Sequence, residues 1–196
     1  MGDPGEERLR EAESLFGEPD EVSLEQRLLP WELDLIERVC GRRRYHDVTV
    51  FPVRGSDLAV VHKPSEPAGV YWVPAGGVGP NESLAEGAER EAYEETGLRT
   101  RVTRYMLRAR VTFVEGERRR PWTSHVMLAE HVAGEPDPVD RKEVETARWI
   151  PASQFLVEGV TLLRAVGWGR LAYRAWMAEL VIPRWILPPG SSTMPG

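Results

Sequence analysis

Three glutamates near the middle of the chain, Glu91, Glu94 and Glu95, have the residue type and spacing to do chemistry. If this segment is helical, side chains three and four positions apart lie one turn above each other, so the three carboxylates share one face. An ordinary surface helix would relieve their repulsion with lysines, and residues 84–96 contain none. Hard divalent cations favour clustered carboxylate oxygens, and Mg²⁺ binds through a few carboxylates together with substrate phosphates and waters. The spacing therefore predicts a metal platform.

A glycine-rich loop, PAGGVGPNE, directly precedes this segment. Residues without a Cβ let the backbone approach a metal ion and a substrate closely. Arg90 adjoins the acids and carries a rigid guanidinium fork that suits a carboxylate. We therefore expect Arg90 to position Glu82 or Glu91.

The stretch from Gly76 to Leu98 resembles the Nudix box, G-x5-E-x7-R-E-U-x-E-E-x-G-U, in which U is an apolar residue. All the fixed positions are present at the required spacing, namely Gly76, Glu82, Arg90, Glu91, Glu94, Glu95 and Gly97. The first U is Ala92, which is smaller than the usual aliphatic residue. That departure concerns local packing and not the chemistry.

The resemblance implies a ligand set and a reaction. It implies that Mg²⁺ or Mn²⁺ is held by the carbonyl of Gly76 and by the carboxylates of Glu91, Glu94 and Glu95, with Glu82 as a supporting residue. The implied activity is hydrolysis of the diphosphate bond of a nucleoside diphosphate linked to another group. Bound metal ions would neutralise the diphosphate oxygens and lower the pKa of an attacking water.

A carboxylate must take the proton from that water, and its position varies among Nudix enzymes. The candidates are Glu94 inside the box and two glutamates in RKEVETARW, Glu143 and Glu145. This second segment resembles an acid-rich stretch before an Arg-Trp pair in many family members. A solvated turn is an equally good interpretation of Glu143 and of Glu145.

Upstream of the box, HKPSEPAGVYWVPAGG resembles the family's strand-loop-strand approach to the glycine loop. Lys63 stands where the family often has an arginine, so it is a candidate contact for a substrate phosphate. An exposed lysine at the end of a strand needs no function, and that interpretation stays open.

The elements that must position these residues can be predicted from patterning. HDVTVFPV and LAVVHK are β-branched runs separated by residues 54–57, which favours a hairpin. Ser83 with Glu86 predicts the start of the central helix, and Gly97 its end. Further predicted elements are strands at 70–73, 101–113 (with a bend) and 122–131, a turn at 115–121, a short strand and turn in RWIPASQFL, and a helix over 160–180. The order of the elements predicts an α+β sandwich with a mixed β-sheet between helices. The resemblance implies a Nudix fold, an α/β/α sandwich, here with an N-terminal extension and a C-terminal helix.

The composition of the 196 residues, 41% hydrophobic and 29% charged, fits one domain with a real core. We expect an acidic, partly helical extension over residues 1–30, a catalytic domain over 31–187 and a disordered tail over 188–196. The extension accounts for the whole formal net charge of −6. The remainder of the chain is neutral overall, which argues against a protein that binds long nucleic acid through its phosphates.

The remaining sequence features limit the expected cellular location and the expected partners of the protein. No apolar run is long enough to span a bilayer, and the N-terminus is acidic where a signal peptide would be basic, so we expect a cytoplasmic protein without membrane association. The single cysteine, Cys40, excludes an internal disulfide and is expected to be a core thiol. Large apolar residues between Val160 and Trp185 indicate core packing or a homodimer face.

The sequence therefore predicts a metal-dependent hydrolase of a nucleotide-type small molecule. An ADP-ribose-like compound, a sugar nucleotide and a nucleoside triphosphate are the leading substrates. The alternative is a Nudix-fold regulatory module that binds a nucleotide without cutting it. Such modules usually lose box acids, and this chain keeps them all.

Overall fold

The computed structural model describes residues 5–41 and 44–186, without the side chain of Cys40. The expectations of a core thiol at Cys40 and of a disordered tail over 188–196 lie outside the described residues. The strands are β1 (Asp20–Arg27), β2 (His46–Arg54), β3 (Asp57–His62), β4 (Ala75–Gly76), β5 (Arg99–Glu115), β6 (Arg118–Ala133) and β7 (Thr146–Pro151). The helices are α1 (Glu6–Phe16), α2 (Pro30–Cys40), α3 (Leu84–Thr96), α4 (Ala152–Gln154), α5 (Val160–Ala165) and α6 (Gly169–Ile186), with a π-helical turn, Phe155–Gly159, between α4 and α5.

The strands form one mixed sheet in the order β1-β5-β6-β2-β3-β7, and β4 pairs with the start of β2. The pairs β1/β5 and β2/β6 are parallel, whereas β2/β3, β3/β7 and β5/β6 are antiparallel. The predicted mixed sheet is confirmed.

The side chains of a strand alternate between the two faces of a sheet, so both faces present apolar side chains. Helices cover both faces. On β2, Val48 and Val50 belong to an apolar cluster shared with α1 and α3. Phe51 and Val53 belong to the opposite cluster, which includes residues of α2, α5 and α6. This arrangement confirms the predicted α+β sandwich.

The two hairpins follow the turn chemistry of the sequence. Arg54 pairs with Asp57 across the predicted β2–β3 turn, where Gly55 adopts a φ of +60° that favours glycine. Strands β5 and β6 are longer than expected, and only Gly116 and Glu117 separate them. Three register shifts in the β5–β6 pairing lie between Arg99 and Leu107 of β5, and irregularities of this kind bend a strand locally.

Three elements differ from the sequence prediction. The predicted strand over 70–73 is wrong, since only Trp72 bridges to Val61 and the residues that pair with β2 are Ala75 and Gly76, directly after Pro74. The N-terminal segment contributes a strand, β1, to the edge of the main sheet. The helix predicted over 160–180 is broken at Gly167, whose φ of +78° separates α5 from α6.

Within the described ranges, no helix is both long enough and apolar enough to cross a membrane.

Candidate active site

Helix α3 is fixed at both ends by its own sequence. The Ser83 hydroxyl accepts from Glu86 N–H and the Glu86 carboxylate accepts from Ser83 N–H, which is the predicted capping box. Gly97 ends the helix in the left-handed conformation, with a φ of +76°. Leu84 and Ala88, both fully buried, pack α3 on the sheet.

Arg90 is the centre of the acidic cluster. Its Nε and Nη2 donate to the two carboxylate oxygens of Glu82, at 2.7 and 3.0 Å. Its Nη1 donates to Glu91 at 2.8 Å and to Glu94 at 3.0 Å, and Nη2 also donates to the carbonyl of Gly77 at 2.6 Å. One guanidinium therefore orients three carboxylates and the glycine loop.

The glycine loop and Glu91 lie in direct contact. A Cβ at Gly76 would overlap the Glu91 carboxylate, so only glycine permits this approach. Glu91 is mostly buried, and that burial raises its pKa against the opposing effect of Arg90.

The glycine loop also makes hydrogen bonds with Glu82, which is close in sequence, and with Arg8, which is far from it in sequence. Gly79 N–H donates to Glu82 at 2.7 Å, and Arg8 of α1 donates to the carbonyls of Gly79 and Pro80. The contact of Arg8 spans more than 70 residues of chain, so no local signal in the sequence could reveal it.

Glu95 differs from its two neighbours, although the sequence placed all three on one face. It is 1% exposed, and its carboxylate accepts from Lys63 Nζ at 2.7 Å and from Ala75 N–H at 3.4 Å. Burial raises the pKa of Glu95 to about 7, opposed by Lys63. The ammonium of Lys63 lies between two carboxylates, since it also donates to Glu143 at 2.5 Å.

The structure separates Glu143 from Glu145. Val139 and Asp140 N–H donate to the carbonyl of Glu94 at the end of α3, and this contact carries the following loop, with Glu143, over the site. Glu145 lies instead beside His62, with 3.5 Å between its Oε2 and Nε2 of the histidine. Of the two, Glu143 is the one close to Glu91 and Glu95.

Among residues 5–41 and 44–186, no three His, Cys, Asp or Glu side chains are grouped as a metal-binding set. Glu91 and Glu94 nevertheless lie within 3.0 Å of the same nitrogen, and Gly76 adjoins Glu91. These are hard oxygen donors, of the kind that Mg²⁺ and Mn²⁺ prefer. The residues present therefore fit a divalent ion.

A cleft of about 450 Å³ opens beside the glycine loop. Gly76, Lys63 and Glu143 line the end next to the acidic cluster. Sequence reasoning missed the other charged residues of its wall, which are Arg44, Asp47, Glu66, Lys142, Arg170 and Arg174.

Helices α2 and α6 supply part of the apolar wall, with Leu35 and Ile36 from α2 and Tyr173 and Met177 from α6. These helices are joined through Glu32, whose buried carboxylate accepts from Gly169 and Arg170 N–H at the start of α6, both at 2.9 Å.

A family model of the Nudix domain matches residues 43–169. Two curated relatives are NAD-capped RNA hydrolases named NudC. The protein from Pseudomonas syringae is 26% identical over 181 residues, and the protein from Pseudomonas entomophila is 27% identical over 161 residues. The matches cover 90% and 78% of this chain but 56% and 55% of the relatives, so the chain spans about half of their length. A crystal structure of a NUDIX-family hydrolase from Clostridium perfringens superposes with a TM-score of 0.49 and 16% identity, covering 72% of this chain and 98% of that one.

Proposed function

Since this chain belongs to the Nudix family, we propose that it is a metal-dependent pyrophosphohydrolase, which cleaves the diphosphate bond of a nucleoside diphosphate linked to another moiety. The observation that carries the proposal is the contact between the glycine loop and the acidic helix. Nη1 of Arg90 donates hydrogen bonds to both Glu91 and Glu94, and Gly76 lies against the Glu91 carboxylate.

Mg²⁺ or Mn²⁺ would be held by the carbonyl of Gly76 and by the carboxylates of Glu91, Glu94 and Glu95. When bound, such an ion supplies neutralisation of the diphosphate charge and acidifies a water molecule. Arg90 orients the carboxylates, and Glu82 in turn fixes Arg90 through two parallel hydrogen bonds. Lys63, which lines the cleft, is proposed to contact a substrate phosphate.

The proton of the attacking water would pass to a carboxylate. Glu94 and Glu143 are partly exposed and lie at the cluster, which supports either as the base. Glu145, beside His62, has weaker support. We therefore expect Glu145→Gln to retain more activity than Glu94→Gln or Glu143→Gln.

The substrate panel follows from the cleft and from the relatives. It includes ADP-ribose, nucleoside diphosphate sugars and nucleoside triphosphates. NAD and NAD-capped RNA are added because the similar NudC proteins are named for the latter. Each contains a diphosphate bond next to a nucleoside, so the proposed chemistry covers them all.

The test is turnover of this panel with Mg²⁺ and with Mn²⁺, followed as release of a nucleoside monophosphate or of inorganic product. Glu94→Gln and Glu95→Gln are expected to lose at least tenfold in kcat. Glu117→Gln, an exposed residue of the β5–β6 turn, is the matched control and should equal wild type. Mutants as active as wild type would show that the site is misassigned.

The competing function is a regulatory module with the same fold. Tight nucleotide binding with no turnover of any panel member, at any metal concentration, would favour that module.

A further inference from the structure

The wall of the cleft includes two arginines of helix α6, Arg170 and Arg174. Their side chains are 13% and 20% exposed, so both reach the surface of the cleft although most of each side chain is packed. Both lie beyond residue 169, where the matched Nudix region ends. They are therefore features of this chain that the family match does not assign.

Aromatic rings orient both guanidinium groups. The Cζ atom of Arg174 lies 2.9 Å from the ring centroid of Trp72. The Cζ atom of Arg170 lies 4.8 Å from the ring centroid of Trp168 and 5.8 Å from that of Trp31. A guanidinium that packs on an aromatic face keeps its N–H groups in its own plane, where they can still donate hydrogen bonds. The two guanidiniums are therefore held in place by the protein itself.

The protein uses few of the hydrogen-bond donors that these two arginines offer. Oε1 of Glu66 accepts one hydrogen bond from each guanidinium, both at 2.8 Å. The other carboxylate near Arg170 is that of Glu32, which accepts instead from backbone N–H groups at the start of α6. No further hydrogen bond of either guanidinium is found within residues 5–41 and 44–186. Each guanidinium has five N–H donors, so donors are left for an anion in the cleft.

Arg174 lies next to the proposed reaction site. The ring of Trp72, on which Arg174 packs, also has Nζ of Lys63 5.6 Å from its centroid, and Lys63 donates to Glu95. Burial lowers the pKa of Arg174 to about 10, and the charge of Glu95 is among those that oppose this shift. The wall of the cleft therefore continues from the acidic cluster to the arginines of α6.

We infer that Arg170 and Arg174 form an anion site, which binds a third anionic group of the substrate in addition to the two phosphates of its diphosphate. The inference rests on the proposed function, in which Lys63 and the glycine loop already engage the diphosphate. It narrows the substrate to nucleoside diphosphate compounds that carry a further phosphate or carboxylate. Guanidinium groups suit both anions, because two parallel N–H donors match two oxygens of either one.

The test compares, by calorimetry with Mg²⁺, matched ligands that differ in one anionic group. ATP is compared with ADP, UDP-glucuronate with UDP-glucose, and NADP with NAD. Each ligand has methylene bridges in place of its anhydride oxygens, so that none is consumed. In wild type, the more anionic member of at least one pair is expected to bind more tightly by about tenfold or more. The pair that shows this preference identifies the group as a terminal phosphate, a sugar carboxylate or a ribose phosphate.

Two variants and a control assign the preference to the arginines. Arg170→Gln/Arg174→Gln removes both charges and should bring the members of that pair to within about twofold of each other. Arg174→Lys keeps the charge without the forked donors, and should reduce the preference by about threefold or more. Arg184→Gln, at an arginine of the same helix outside the lining of the cleft, is the matched control and should keep the wild-type preference.

Equal affinities within every pair in wild type would overturn the inference, and so would a preference that both variants retain. A purely structural role of the two arginines would lower the stability of the variants without changing the ratio of the two affinities. If the double variant does not fold, Arg174→Lys and wild type decide the matter. A third-anion preference without hydrolysis of any panel member would remove the proposed function and keep the anion site. Hydrolysis without that preference would keep the function and remove the anion site.

Discussion

A single guanidinium, that of Arg90, holds the acidic site together. Its three nitrogens donate to oxygens of Glu82, Glu91, Glu94 and Gly77. The two bonds to Glu82 are parallel, a geometry that arginine can make and lysine cannot. The shape of Arg90, and not only its charge, therefore sets the orientation of the proposed metal ligands.

We expect Arg90→Lys to lower kcat by about 10- to 100-fold, because the charge remains while the carboxylates lose their fixed orientation. The apparent Mg²⁺ concentration for half-maximal activity should rise by a similar factor, which a general loss of stability would not cause. Arg101→Lys, at an exposed arginine of β5, is the control and should change neither quantity. Unchanged Mg²⁺ dependence in Arg90→Lys would rule out this positioning role.

His125 is a fully buried histidine of β6. Its Nδ1 shares a hydrogen bond of 2.5 Å with the Tyr105 hydroxyl, while Nε2 is buried with no hydrogen-bond partner within residues 5–41 and 44–186. Burial, together with the nearby His46 and Arg108, lowers the pKa of His125 to about 3. The folded protein therefore keeps this imidazole neutral at pH values where the unfolded chain protonates it.

This difference predicts a pH-dependent stability. An unfolded histidine has a pKa of about 6.5, so between pH 3 and 6.5 the unfolded chain binds the extra proton. The contribution of neutral His125 is fully present above about pH 6.5 and is lost as the pH falls. Urea unfolding between pH 4.5 and 7.5 should show that wild type loses stability with acidification faster than His125→Gln, by up to about 1.4 kcal/mol per pH unit. Parallel pH profiles for the two proteins would contradict the neutral, buried imidazole.

At the residue scale, the sequence predicted local contacts of the candidate site better than long-range ones. The expected contacts of Arg90 with Glu82 and Glu91 are present, and they lie within one loop and one helix. The pairing of Lys63 with Glu95 and Glu143 joins the residue after β3, helix α3 and a loop 80 residues further along the chain than Lys63. Such long-range pairs depend on strand order, which no local pattern encodes.

Among the elements, helix α3 positions a glutamate that it does not itself carry, Glu143. The carbonyls at its C-terminal end accept from Asp137, Val139 and Asp140 N–H, and so anchor the loop that carries Glu143. Gly97 permits this approach, since a Cβ there would overlap the Asp137 carbonyl. The end of the helix and the placement of the loop therefore depend on one glycine.

We expect Gly97→Ala to lower the free energy of unfolding by about 1–3 kcal/mol from the left-handed backbone alone, with a further loss from the displaced loop. Gly116→Ala is the matched control, because its φ of +56° imposes the same backbone strain while nothing lies within 4 Å of its Cβ. Urea unfolding of both variants should show the larger loss for Gly97→Ala. Equal losses would mean that the loop contact adds nothing.

The elements that the sequence predicted well are those with strong local signals. The capping box of α3 and the β2–β3 hairpin follow from turn residues and periodicity. The presence of β5 and β6 was predicted in the same way, but the predicted turn over 115–121 was too long, since residues 118–121 belong to β6. Strand β1 was missed because its segment, DEVSLEQR, is acidic and only half-buried at Val22 and Leu24. Its alternation of apolar and polar residues was the available signal, but edge strands need only one apolar face and are easily mistaken for a polar extension.

At the scale of the whole molecule, the N-terminal segment is attached to the sheet and to the site. Arg108 of β5 donates to Glu13 of α1 and, at 2.6 Å, to Glu21 of β1. These contacts place α1 over the loop, where Arg8 holds the carbonyls of Gly79 and Pro80. Residues before the matched Nudix region thus contact the glycine loop.

We expect Arg8→Ala to loosen the glycine loop, because the carbonyls of Gly79 and Pro80 lose their shared donor. Hydrogen exchange of residues 76–82 should become at least severalfold faster, and kcat on any panel substrate should fall by a similar factor. Arg10→Ala is a matched control from the same helix, since the only ion pair found for Arg10 within the described part of the chain is an exposed one with Glu6. It should leave both measurements at wild-type values. If hydrogen exchange of residues 76–82 were equally slow in Arg8→Ala and Arg10→Ala, the contact of Arg8 would not stabilise the glycine loop.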